Sequence, residues 1–212
     1  MELYEVMRSA RTARSFQPRP VPAELLHRVL DNARFAPSGG NRQGWRVVVV
    51  QELERRQQLK EIYLRRWGAI SRRARALAGP ADSTVLYDRA DRFADQLDEV
   101  PVHLLVFVRM GALAITDADL DRQSIVGGAS IYPFVQNVLL ACRREGLAAA
   151  LTTAMCAEES TVQELVGAPE EFALAAFIAV GFPPVGAPTK PLDRREVQDF
   201  TFAETFGEPF AG

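Results

Sequence analysis

Ala36-Pro37-Ser38-Gly39-Gly40-Asn41-Arg42-Gln43-Gly44-Trp45 decides how this chain is read. It joins an amphipathic run ending near Arg34 to the apolar run Trp45–Val50. Adjacent glycines let backbone approach a ligand closely, and the hydroxyl and amide side chains around them suit a planar polar one. A second polar segment, Arg11-Thr12-Ala13-Arg14-Ser15-Phe16, lies upstream.

Working outward, the sequence predicts a helix over Glu2–Ala10. A second starts at Pro22, with Leu25, Leu26, Val29, Leu30 and Ala33 on one stripe, and is stopped by Pro37. Trp45–Val50 is predicted to be a buried strand, because Val47–Val50 is continuously apolar rather than alternating. Glu52 to about Leu77 is a charged helical region crowded with arginine, among them Arg55, Arg56, Arg65, Arg66, Arg72, Arg73 and Arg75. Such a cluster is either a solvated helix face or a phosphate-binding one. Gly79-Pro80-Ala81-Asp82-Ser83 breaks the pattern, and a helix restarts toward Asp98. Val102–Val108 predicts a strand and Ser124–Arg144 the most apolar helix, followed by strands at Leu147–Thr153 and Ala173–Val180 around a helix at Thr161–Val166. Interleaved strands and helices give a mixed α/β layer arrangement, with strand direction left open. Beyond Gly181 the chain is proline-rich up to Pro191, then carries Phe200, Phe202, Phe206 and Phe210 on a segment that needs apolar cover.

The chain has 212 residues, a length suited to one domain, and no internal repeat or composition break divides it. Its net charge of −2 gives no global reason to expect nucleic acid. No apolar run reaches about 18 residues, so no membrane span is expected, and no secretory signal is visible; a cytoplasmic location is the default. Cys142 and Cys156 read as free thiols. His27 and His103, the two histidines, lie within the amphipathic helix and inside an apolar strand, without the spacing of a His or Cys ligand pair. Histidine metal sites and Ser–His catalysis are therefore disfavoured, and no metal is expected. Neither GxGxxG nor GxxxxGK[ST] occurs. A chain so poor in reactive groups leaves a bound cofactor as the supplier of hard chemistry.

Arg11-Thr12-x-Arg14-x-Phe16, Pro20-Val21-Pro22-x-Glu24-Leu25-Leu26 and Ala36-Pro37-Ser38-x-x-Asn41-x-Gln43-x-Trp45 together resemble the amino-terminal third of the flavin-dependent nitroreductase family. Gln136-Asn137-Val138-Leu139-Leu140-Ala141, Gly146-Leu147, Thr152-Thr153, Val162-x-Glu164-Leu165-x-Gly167-x-Pro169 and Val180-Gly181-Phe182-Pro183 extend the likeness over nearly the whole chain except Glu52–Glu99. Ala10, Gly44 and Ala148 depart from the usual pattern, and Met155–Glu159 matches nothing in it.

The resemblance implies one α+β domain over residues 1–212, with a central, mostly antiparallel sheet flanked by helices in an intertwined homodimer. Residues 52–99 would form a variable helical lid, and residues 196–212 would pack on the partner subunit. It also implies FMN as cofactor, gripped by Arg11, Thr12 and Arg14. Pro37, Ser38 and Asn41 would line the same pocket from the other subunit, and Thr152 and Thr153 would approach flavin N5. Arg194 would meet the phosphate, with Arg195 a rival. Arginine suits both ends of FMN: its planar fork pairs with phosphate oxygens, and its charge balances the negative charge a reduced flavin gathers near N1 and O2. Read from the residues alone, Arg11 and Arg14 are first of all surface arginines after a helix, and Thr152-Thr153 in a strand is also ordinary β-branched packing.

The implied activity is a ping-pong oxidoreductase, in which NADH or NADPH gives electrons through flavin N5 to a nitroaromatic, quinone or similar small aromatic acceptor. A reductive dehalogenase, a natural-product oxidoreductase and a non-catalytic FMN-binding or sensing module are the alternatives. Dehalogenation of an amino acid would need a lid that grips a zwitterion, for which Lys60, Glu61 and Tyr63 are the candidates.

Overall fold

Val102–Arg109 is apolar at every position but His103 and the terminal arginine, and only that arginine is exposed. Such a strand needs cover on both faces. In the computed structural model, which describes residues 1–77, 83–187 and 192–210, it has that cover. The strands are β1 (Trp45–Val50), β2 (Val102–Arg109), β3 (Ala148–Thr152) and β4 (Phe172–Gly181). They form a four-stranded sheet of order β1-β2-β4-β3 in which every neighbouring pair is antiparallel. The helices are α1 (Leu3–Ser9), α2 (Ala23–Ala33), α3 (Leu53–Leu77), α4 (Ser83–Asp95), α5 (Tyr132–Arg144) and α6 (Glu159–Val166).

The two-residue period of β2 sorts its side chains between two cores. Leu104, Val106 and Val108 meet Leu25, Leu26 and Val29 of α2 and Phe134, Val135 and Val138 of α5. Leu105 and Phe107 meet Leu59, Ile62 and Tyr63 of α3 and Phe93 and Ala94 of α4. Helices on both faces of an antiparallel sheet form the expected α+β arrangement. No described helix is long and apolar enough to cross a membrane.

Two expectations need correction. β1 is an edge strand rather than a buried one, and Val49 is 39% exposed. The helix expected from Ser124 begins at Tyr132, with Pro133 in its first turn. Upstream, the buried Asp117 carboxylate accepts from the Ser124 hydroxyl (2.6 Å), Arg122 (2.7 Å) and the Ile125 backbone N–H (3.2 Å). These bonds, the Ser124 one foremost, hold its pKa below the usual carboxylate range. They fix residues 117–125 as a loop, which a short 3-10 turn at Val126–Ser130 links to α5. The predicted break at 79–82 and the end of the proline-rich stretch at 188–191 lie outside the described residues.

The α3 arginines are largely committed to packing. Arg55 donates to Leu165 O (3.0 Å) and Arg56 to Val100 O (2.9 Å) and Asp98 O. Arg66 pairs with Glu158, and Arg75 reaches Asp88 (2.9 Å) and Asp91 (2.6 Å). Arg65, Arg72 and Arg73 remain exposed.

Candidate functional site

The segment after α1 does not continue as helix. Its chain turns extended at Ala10 and lies along the open edge of β3, where Thr12 bridges Ala149 in parallel and Ala13 N–H donates to Ala149 O (2.9 Å). Farther on, Gln17 ties the same segment to the exit of β4 through Phe182 O (2.9 Å, from its N–H) and Pro183 O (2.6 Å, from its side chain). An open strand edge offers unpaired backbone groups, and this segment takes them up.

A cleft of about 1240 Å³ opens at this edge. Its described lining contains six arginines, Arg11, Arg14, Arg89, Arg92, Arg143 and Arg194, and no aspartate or glutamate. Leu147, Ala149 and Leu151 supply an apolar wall, and Thr12 a hydroxyl. Arg143 is held by the Ser9 hydroxyl (2.9 Å). The cleft thus combines concentrated positive charge with an apolar side, and its size is ample against the roughly 300–1,000 Å³ of ordinary ligand pockets.

Of the residues expected at a flavin site, Arg11, Thr12, Arg14 and Arg194 come together here. Arg195 is exposed and does not line the cleft. Thr152 lies at the end of β3, where its hydroxyl accepts from Ala154 N–H (3.2 Å). It faces the buried Tyr63 of α3, whose ionisation burial opposes and the Thr152 hydroxyl and Arg14 charge partly ease; the net shift is upward. Thr153 is exposed and leads into the next 3-10 turn. Neither threonine lines the cleft of this chain.

Pro37, Ser38 and Asn41 lie elsewhere, in the loop that feeds β1 at the opposite edge of the sheet. Two side-chain hydrogen bonds pin that loop. The Ser38 hydroxyl accepts from Gln43 N–H, and the Ser130 hydroxyl accepts from Gly39 N–H, both at 3.0 Å. Gly40 (φ 59°), Asn41 (φ 53°) and Gln43 (φ 47°) adopt left-handed backbone, which asparagine tolerates better than most residues. Of the proposed zwitterion grip, Lys60 is paired with Asp98 (2.9 Å), Glu61 is exposed and Tyr63 is buried.

Sequence reasoning missed Arg89, Arg92 and Arg143. The first two, with Gln96, recur at positions i, i+3 and i+7, the signal of one helix stripe. Protein nucleophiles are scarce. Burial pushes the Cys142 thiol up to about 12 and the Cys156 thiol to about 11. His27 is exposed, and His103 is wholly buried. No group of acids, histidines and cysteines among the described residues could hold a metal.

The nitroreductase family model matches residues 7–182. The chain belongs to the nitroreductase family. It is 27% identical over 203 residues to iodotyrosine deiodinase 1 of Rattus norvegicus, a match covering 92% of this chain and 66% of that protein. The chain thus spans just under two thirds of the length of the vertebrate deiodinases. It is 27% identical to the iodotyrosine deiodinase of Thermotoga neapolitana (94% of this chain, 98% of that one). To the 5,6-dimethylbenzimidazole synthase of Rhodospirillum rubrum it is 29% identical (87% and 83%). Among solved structures, an iodotyrosine deiodinase bound to FMN and 3-iodo-L-tyrosine superposes with TM-score 0.72 at 26% identity, covering 95% of this chain and 100% of that one. An FMN- and NADPH-dependent nitroreductase shares the fold, with TM-score 0.71 at 22% identity (97% and 100%).

Proposed function

We propose that this nitroreductase-family protein is a homodimeric FMN oxidoreductase, taking electrons from NADH or NADPH and passing them to a small aromatic acceptor such as a nitroaromatic or quinone. The observation that carries this reading is the acid-free cleft that gathers Arg11, Thr12, Arg14 and Arg194 beside an apolar wall. FMN needs those two features together, a cationic end for its phosphate and a flat apolar face for its ring. When bound, FMN would supply the redox chemistry, which no cysteine or histidine of this chain is set up to perform.

Each residue then has a task. Arg11 and Arg194 would hold the phosphate by charge-assisted hydrogen bonds, with the Thr12 hydroxyl adding a neutral one. Arg14 would lie against the pyrimidine edge, where its fixed charge favours the reduced form of the ring. Leu147, Ala149 and Leu151 would exclude water from one ring face. Thr152 and Thr153 would approach the N5 side, with Tyr63 packed behind Thr152. Pro37, Ser38 and Asn41 would come from a second copy of the chain, on which the phenylalanine-bearing tail would also pack. Phe206 is 94% exposed in the single chain, as an interface residue would be. A cytoplasmic location accompanies this reading.

The second reading, a reductive dehalogenase, is favoured by the deiodinase relatives. It is disfavoured by the cleft itself, whose described lining offers no carboxylate to an amino acid's ammonium group. The visible spectrum of the purified protein tests the cofactor, and anaerobic mixing with NADH and with NADPH tests the enzyme. Bleaching of the flavin band is expected. Well-folded protein that takes up no FMN in excess refutes the proposal, and a flavin band inert to both donors leaves a binding module in its place.

A further inference from the structure

The cleft holds more positive charge than FMN can use. Six arginines face it, whereas a phosphate monoester carries about −1.5 to −2 near neutral pH. In a chain of net charge −2 this is a local concentration, not a general basicity.

Two of the six, Arg89 and Arg92, stand apart from the amino-terminal cradle because they come from α4. The rotation of that helix is fixed twice over. Ala90, Phe93 and Ala94 are buried on its inner stripe. On another stripe Asp91 accepts from the Trp67 indole N–H (2.7 Å), the Ser71 hydroxyl (2.8 Å) and Arg75 (2.6 Å), and Asp88 accepts from Arg75 (2.9 Å). The acids adjoining Arg89 and Arg92 in sequence are therefore committed to α3. What remains is the stripe Arg89, Arg92 and Gln96, turned to the cleft. Neither arginine makes a hydrogen bond or ion pair with another described residue. Burial would raise the Asp91 pKa, but the bonds from Arg75, Ser71 and Trp67 outweigh it and hold it low, so the clamp that aims the stripe stays ionised at neutral pH.

We infer that Arg89 and Arg92 form an anion subsite for the molecule that exchanges electrons with the flavin, and that this molecule carries an anionic rather than a zwitterionic group. Gln96 adds a neutral amide donor at the end of the same stripe. Two sources share this chemistry: a carboxylate on an aromatic acceptor, and the 2′-phosphate of NADPH. The inference rests on the proposed flavin function and narrows its substrate class.

The test is calorimetric titration of the FMN-loaded protein with 4-nitrobenzoate, its neutral isostere 4-nitrobenzamide, and the unreactive oxidised nicotinamides NADP+ and NAD+, repeated on the Arg89→Gln/Arg92→Gln variant. Wild type is expected to bind the more negatively charged member of at least one pair about tenfold more tightly, and the variant to lose that preference while its affinity for the neutral acceptor and for FMN is unchanged. Loss confined to the nitrobenzoate pair assigns the subsite to the acceptor, and loss confined to the nicotinamide pair assigns it to the donor's phosphate. No preference in wild type, a preference that survives in the variant, or a variant that no longer retains FMN overturns the inference. A well-folded protein that takes up no FMN in excess refutes the flavin reading instead. The same nitrobenzoate and nitrobenzamide titrations on that protein still report the subsite, and equal binding of the two overturns it.

Discussion

His103 makes acid stability a sharp test of how β2 is packed. The imidazole is 0% exposed, its Nε2 lies 2.8 Å from Leu97 O, and the edge of Phe177 closes over it with centroids 4.9 Å apart. Because Nε2 faces a carbonyl it must carry the proton, which leaves buried Nδ1 with no partner. Protonating Nδ1 would bury a charge with no acceptor for its new N–H. Desolvation therefore dominates, with Arg56 adding to it and Leu97 O and Asp98 opposing, and the pKa falls from 6.5 to about 4. The sign follows directly. Unfolded chains take up this proton below about pH 6.5, but the folded chain resists until about pH 4. The stability it confers is complete above pH 6.5 and drains away as pH falls toward 4. The full drop from 6.5 to about 4 is worth about 3 kcal/mol, most of which is lost between pH 7.5 and 4.5. Urea unfolding at those two pH values, compared between wild type and His103→Phe, isolates the effect, because the carboxylates that also titrate are common to both. The variant should lose about 2–3 kcal/mol less than wild type over this range. Equal losses would mean that the ring is already charged, or reachable by water, and the argument for a dry β2 would fail.

Arg11→Glu should abolish FMN retention, whereas Arg14→Ala should slow reduction more than it weakens binding; flavin absorbance after gel filtration and stopped-flow reduction read the two separately. At Gly44 an added Cβ would lie 2.6 Å from the Ala112 Cβ, so Gly44→Ala should cost about 1–3 kcal/mol in thermal or urea unfolding, with Ala112→Gly restoring most of it. Asp91→Ala removes three hydrogen bonds at a partly exposed site, and a loss of about 1–2 kcal/mol with altered Trp67 fluorescence is expected. Finally, Arg11→Glu chains co-refolded with Ser38→Ala/Asn41→Asp chains should regain about one quarter of wild-type FMN sites, the share that random hybrid dimers would restore. FMN content equal to the mean of the two parents would refute a site shared between subunits.

Much of this architecture was legible because burial periodicity survives in the sequence. The stripe on α2 and the apolar run of β2 specify which residues reach the core, and both fall where the pattern puts them. What failed did so for identifiable reasons. Four consecutive valines describe apolarity but not position within a sheet, so β1 read as interior though it lies at an edge. The start of α5 was hidden by Asp117, a carboxylate whose grip on Ser124 and Ile125 depends on tertiary folding, not on local propensity. In the cleft, Arg11, Thr12, Arg14 and Arg194 were named by motif resemblance, which covers the segment beside β3 and the chain just before the tail. Arg89 and Arg92 were not found, because the helical region that carries them resembles nothing and its meaning lies in where α4 is docked.

The placement of the glycine loop bears most directly on how the site works. Residues 36–44 lead into β1, and Trp45 of β1 pairs with Val108 near the end of β2 that meets the start of β4. Arg11–Arg14 instead run beside Ala149, which pairs with Val180 near the far end of β4. Crossing from one edge strand to the other takes three strand spacings, roughly 14 Å, and moving along β4 from Phe172 to Val180 adds roughly 27 Å. No rotamer change closes such a gap, and the hydrogen bonding of Ser38 and Gly39 argues against the loop swinging across. The loop and the arginines therefore either serve different ligands or meet through a second copy. In a two-fold interface where residue i of one chain meets residue j of the other, j also meets i, so a dimer that docks the loop of one chain on the arginines of its partner would build two equivalent sites. Folding, association and cofactor binding would then be linked: FMN that contacts both chains stabilises the dimer by the same free energy with which dimerisation tightens its own binding.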